Sequence, residues 1–185
     1  MPSNPAPGDL ELVRGFVNTL DMEEGREELD SPAAAAAWLA GRDLLDPGVA
    51  IGEEELDRAR ALREAIRELL RADHEGTRAT EAAAILDAEA GRAGLAVGFG
   101  ADGTARAEPA AGGFDRALGR LLLLVAEAQR DGTWARLKVC ECDDCQYAFY
   151  DRSRNRSAVW CDMAVCGNRE KVRAYRRREA AHEHR

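Results

Sequence analysis

The chain has 185 residues, 45% of them hydrophobic, and a net charge of −8. That length holds one substantial core and a small module besides. Its apolar runs, such as Leu121 to Ala126, are all far short of the roughly 20 residues a membrane helix needs, so a cytoplasmic protein without a membrane partner is expected.

Residues 1–8 are rich in Pro, Ser and Gly and are expected to be disordered. From Asp9, Leu10, Val13, Phe16, Val17 and Leu20 recur at helical spacing. Asn18 and Thr19 are poor helix-interior residues, so they end this helix or carry a specific hydrogen bond. Residues 20–30 read as an acidic loop. Ser31-Pro32 is a helix start, Ser as cap and Pro at the first position, and the helix stops near Gly41. Residues 53–74 form the clearest long helix, with Leu56, Ala59, Leu62, Ile66, Leu69 and Leu70 as its buried stripe.

Thr77 is placed to cap a further alanine-rich helix that runs to Gly91. Residues 95–99 and 104–108 flank Gly100-Ala-Asp-Gly103 and read as a β-hairpin. Residues 114–130 form a second strong helix whose four consecutive leucines are expected to be buried. The fold class is mainly α with a small β-hairpin (α+β). A helical body over 9–133 is followed by a separate module over 134–180.

Charge divides the same way. Residues 1–133 carry 14 basic and 26 acidic side chains; residues 134–185 carry 12 and 8. Within the tail, residues 152–178 hold 9 basic and 2 acidic residues. The body would repel a polyanion and the tail would attract one. Enzymatic motifs are missing: there is no phosphate loop, no G-x-S-x-G and no H-E-x-x-H.

The tail also holds all five cysteines. Cys140 and Cys145 form one C-x₄-C pair and Cys161 and Cys166 another, with 15 residues between the pairs. Two short loops that each supply two thiolates build the closed tetrahedral site Zn²⁺ prefers, and a module this polar would draw most of its folding energy from the metal. Disulfides would need an oxidising compartment, and the N-terminus has neither the basic nor the apolar region of a signal peptide. Cys142 lies inside the first pair, and Cys142–Cys145 is itself a zinc-knuckle spacing. One site cannot take five ligands, so either Cys140 or Cys142 is spare. Tyr147, Phe149 and Tyr150 precede a turn bearing Arg152, Arg154 and Arg156. After Cys166 a basic helix places Arg169, Arg173, Arg176 and Arg177 on one side, beside Lys171, with Val172 and Tyr175 available to pack inward. These eight basic residues are the candidate nucleic-acid contacts.

Trp160-Cys-Asp-Met-Ala-Val-Cys166-Gly-Asn-Arg169 resembles the CGNR zinc finger, named for Cys166 to Arg169, and Phe149 to Ser157 resembles that finger's linker. Phe16-Val-Asn-Thr-Leu20 and Trp38-Leu39 resemble the ABATE domain that accompanies this finger. The resemblance implies Cys140, Cys145, Cys161 and Cys166 as ligands of one structural zinc, with Cys142 outside the pattern. Ala158 stands where the family often has a basic residue. It further implies a bacterial stress-induced transcription regulator that binds DNA through its finger and is not an enzyme, since a Cys₄ site leaves no position open for a reacting water. The acidic body would then sense a small-molecule effector or a partner. The alternatives from the residues themselves are RNA, stacked on Tyr147 and Tyr150, and a protein-interaction adaptor whose finger docks a protein partner.

Overall fold

The computed structural model describes residues 5–183. Of the segment expected to be disordered, residues 1–4 lie outside that range. Ala6 is instead buried, and its N–H donates to Glu11 Oε2 at 2.7 Å. Six helices follow the chain: α1 Leu10–Val17, α2 Pro32–Ala40, α3 Glu53–Glu75, α4 Thr80–Ala93, α5 Gly113–Asp131 and α6 Asn168–Glu183. Three two-stranded antiparallel sheets complete it: β1 Leu20–Asp21 with β2 Arg26–Glu27, β3 Leu95–Phe99 with β4 Ala105–Pro109, and β5 Leu137–Val139 with β6 Ala148–Tyr150. The mainly helical reading holds, with two more small hairpins than the sequence suggests. No described helix is long and apolar enough to cross a membrane.

Local chemistry starts the helices. Ser31 Oγ accepts from Ala34 N at 3.2 Å at the head of α2. Glu55 reaches back to Gly52 N at 2.8 Å at the head of α3, with Glu53 and Glu54 beside it against the positive end of the helix dipole. Thr77 does not cap α4. Its N–H goes back to Ala72 O and closes α3, while the α4 cap position is Ala79, which has no side chain to offer.

The core is built from α1, α2, α3 and α5, with α4 packed against both α3 and α5. Phe16 and Trp38 meet at 5.6 Å between ring centroids, and Leu62, Ile66, Leu118 and Leu121 are fully buried around them. Arg42 covers the Trp38 ring at 3.9 Å. Trp38 Nε1 is buried without a hydrogen-bond partner, the one such side-chain atom among the described residues. The leucine run is only half buried: Leu121 and Leu122 face inward, whereas Leu123 and Leu124 are partly exposed, because an α-helix cannot turn four consecutive residues to one side. At Gly119, α5 crosses so close to α4 and β4 that a Cβ would meet Ala93 Cβ at 2.6 Å and Pro109 Cγ at 3.0 Å.

The same core extends into the tail. Leu137, Val139 and Ala148 of β5–β6 belong to it, together with Trp134. A second, smaller cluster comprises the five cysteines and Phe149, with Tyr147, Ala158 and Trp160 packed against it.

Candidate metal centre

Two backbone knuckles bring the thiols together. β5 delivers Cys140, whose N–H donates to Tyr147 O at 2.9 Å, and the chain then turns so that Cys145 N and Gln146 N both reach Cys142 O, at 2.9 and 3.1 Å. Gln146 closes this turn in the left-handed region, φ +49°. The second knuckle is capped by Asp162, whose Oδ1 accepts from Ala164 N at 2.7 Å and Val165 N at 3.1 Å and so starts the π-helical turn Met163–Gly167. Glu141 N donates to Val159 O at 3.0 Å and holds the two loops side by side. A Cβ at Gly167 would meet Met163 Sδ at 2.5 Å and Trp160 Cε3 at 3.2 Å, so a side chain there would have to displace the exposed Met163 thioether and press on the Trp160 ring.

The sulfurs of Cys140, Cys145, Cys161 and Cys166 all lie within 4.8 Å of one another, and all four residues are buried. Cys145 Sγ and Cys161 Sγ are 3.6 Å apart, Cys161 Sγ and Cys166 Sγ 3.7 Å. A tetrahedron with Zn–S bonds of about 2.3 Å has edges of about 3.8 Å, so the donor set fits zinc in kind, number and spacing. Electrostatics agree. Hydrogen bonds from Cys145 and Cys161 pull the Cys140 thiol down to about 2. Its hydrogen bond and negative charge then hold Cys161 protonated, and burial pushes Cys166 up. One thiolate that suppresses the ionisation of the three thiols around it is what a divalent cation at their centre relieves. Cys142 is fully buried but is not one of the four; its sulfur lies near the Arg169 guanidinium.

The arginine turn has its own clamp. Lys138 Nζ, buried, donates to Asp151 Oδ2 at 2.9 Å, to Arg156 O at 2.6 Å and to Ala158 O at 3.0 Å. Asp151 also accepts from Ser153 N and Ala158 N. Burial alone would raise the Asp151 carboxyl, but these hydrogen bonds outweigh it and hold the pKa at about 2. Neither residue was singled out by sequence reasoning.

The basic candidates fall into two groups. Arg169 is paired with Glu23 of the β1–β2 turn, and Arg173 with Asp144 and Glu170. Arg152 donates to Pro5 O at 2.9 Å. Arg154, Arg156, Lys171, Arg176 and Arg177 are exposed and have no acidic partner among the described side chains. Val172 and Tyr175 do not pack inward; both are about half exposed, because the zinc cluster ends before α6 leaves it.

Two buried polar side chains of the body, Asn18 and Arg67, reach the tail, and Arg63 braces the body beside them. Arg67, buried on α3, donates to Gln146 O at 2.6 Å and to Val17 O at 2.7 Å. Arg63 reaches Thr19 Oγ1 and Glu27. Arg60, Arg63, Arg67 and Arg71 recur at three and four residues, one face of α3. That spacing was the available signal, and a face of arginines reads as solvated until a partner is known.

The chain matches the family model of the CGNR zinc finger over residues 136–179, and over residues 10–131 that of the ABATE family, described as "putative stress-induced transcription regulator". No curated protein matches it.

Proposed function

Since the chain belongs to the ABATE family and carries a CGNR zinc finger, we propose that it is a stress-induced transcription regulator that binds nucleic acid, DNA in preference to RNA, through that finger. In this reading Cys140, Cys145, Cys161 and Cys166 hold one structural zinc, and the ion fixes the relative position of the arginine turn and α6. The finger takes the phosphates. The body over 9–133 takes the signal, as a small-molecule effector or a partner chain. The observation that carries the reading is the set of exposed, acid-free basic side chains at Arg154, Arg156, Lys171, Arg176 and Arg177, on a rigid scaffold beside an otherwise acidic protein. A Cys₄ donor set offers no open position for chemistry, so no catalytic role is assigned to it.

The test is selection from random DNA and RNA pools with the zinc-loaded chain, followed by affinity against salt. If four to six phosphates are contacted, log affinity falls with log salt at about −0.9 per contact. Failure to retain either pool at low salt overturns the reading. One observation favours a second reading, a protein-docking finger. Met163, Val165, Val172 and Tyr175 are each 48–54% exposed around the second knuckle and α6. Pool selection that fails while this patch proves protected in a complex would decide for it.

A further inference from the structure

The β3–β4 hairpin is unfinished in two respects. Its register pairs Leu95 with Pro109, Val97 with Ala107 and Phe99 with Ala105, so one face carries six apolar side chains and no polar one. At the root that face rests on the helices: Leu95 lies beside Leu86 and Leu122, and Pro109 touches the backbone at Gly119. Toward the tip it is bare, with Val97 66% and Phe99 75% exposed. A two-stranded hairpin is marginal alone and is completed by further strands or a covered face. The sheet also ends at β4, whose outer edge pairs with nothing among the described residues.

The pattern of that edge is self-complementary. Gly100 N donates to Thr104 O and Ala110 N to Gly94 O, so the even-numbered residues of β4 bond inward to β3. Ala105, Ala107 and Pro109 therefore turn their polar groups outward. Pro109 has no N–H, but an edge strand paired antiparallel with its own copy about Ala107 does not lack one severely. Ala107 exchanges both bonds with its counterpart, and Ala105 N–H donates to the Pro109 carbonyl of the second copy. The same register sets Arg106 opposite Glu108 of the second copy at the close, non-hydrogen-bonded positions, twice by symmetry. Space is present too. An open cleft of about 850 Å³ runs beside this edge, lined by Leu12, Leu123 and Leu124 and by Arg42, Arg116 and Arg120.

We propose that the chain forms a twofold dimer by pairing β4 with β4 of a second copy about Ala107, the tip of each hairpin lying over the other's cleft. A twofold relating antiparallel strands within one sheet stands normal to it, so both apolar faces turn to the same side, the side of the helices. Each bare tip then lies beside the root of the other hairpin, where Leu12, Leu123 and Leu124 offer apolar surface. The interface is isologous, and the Arg106–Glu108 crossings make it favour a second copy over an arbitrary extended peptide.

Sedimentation velocity across a dilution series of the zinc-loaded chain tests this. A dimer is expected. Ala107→Pro removes an N–H that the hairpin itself does not use, and is expected to weaken dimerisation about tenfold or more with circular dichroism unchanged. Arg106→Glu and Glu108→Arg each set like charges face to face and are expected to dissociate the dimer. Mixing those two variants restores opposite charges at both crossings and is expected to recover a dimer. A wild-type chain that is monomeric throughout overturns the proposal. So does a dimer indifferent to the charge variants, or charge variants that stay apart when mixed.

Discussion

Asn18 at the end of α1 and Ala148 in β6, 130 residues apart, are joined by two hydrogen bonds: Asn18 Nδ2 donates to Ala148 O at 2.8 Å, and Ala148 N donates to Asn18 Oδ1 at 2.7 Å. Cys140 N bonds Tyr147 O, so the neighbouring position, Ala148, turns both polar groups to the open edge of β6. The Asn18 amide acts there as one residue of a missing strand. Asn18→Ala strips both partners from buried backbone groups and is expected to destabilise the protein by about 2–4 kcal/mol, read as a lower urea midpoint. Asn18→Asp keeps the acceptor, loses the donor and buries a charge against a carbonyl; it is expected to be at least as damaging.

Serine at Cys140, Cys145, Cys161 or Cys166 is expected to lower bound zinc well below one per chain in elemental analysis, and Cys142→Ser to leave it near one. Chelation is expected to expose the amides of α6 and the second knuckle to hydrogen exchange while α3 and α5 stay protected, since their apolar stripes need no metal. Because Leu137, Val139 and Ala148 sit in the main core, the boundary of protection is expected within residues 137–150, beyond the sequence boundary at 133.

Asp151 gives a pH-dependent stabilisation of known sign. Its folded pKa of about 2 lies below the ~3.9 of an unfolded aspartate. The contribution is therefore complete above about pH 4 and is lost as pH falls from there through 2. Asp151→Asn leaves the Lys138 ammonium buried without its counter-ion and is expected to cost about 3–5 kcal/mol at neutral pH. The wild-type and Asp151→Asn stability curves should converge only in that acid window.

Arg169 and Arg176 are expected to behave differently. Arg169 is engaged with Glu23 and lies beside Cys142, so Arg169→Ala is expected to lower the finger's melting temperature. Arg176→Ala with Arg177→Ala removes two exposed charges that have no acidic partner and is expected to weaken nucleic-acid affinity and flatten its salt slope by about two contacts, with melting unchanged. Equal effects of both changes on melting would place all three in one structural role.

Much of this was legible in the chain. The stripe from Leu56 to Leu70, the Ser31 cap, the glycine-turned hairpin and the four paired cysteines each follow from local rules acting within a few residues. What escaped was long-range. Arg63 and Arg67 look like solvent-facing positions on α3 until the fold brings Thr19 and Glu27 to the first and Val17 and Gln146 to the second. Residues 20–30 look like an acidic loop, and their distant partners Arg63 and Arg169, which hold Glu27 and Glu23 of the β1–β2 hairpin, are invisible in the local sequence. Val172 and Tyr175 have helical spacing suited to burial, but nothing in the spacing reveals whether a surface exists to receive them.

Trp38, with an indole N–H that meets no acceptor, has an optical consequence. An indole shielded from solvent and unbonded at Nε1 emits toward the blue, and Trp134 is also buried. Trp160, only partly buried against the cysteine cluster, stands in a wetter and more polarisable setting. The emission spectrum thus separates by wavelength into a body component and a finger component. Red-edge excitation follows the finger as metal comes and goes, while the blue edge follows the body, with no label attached to either.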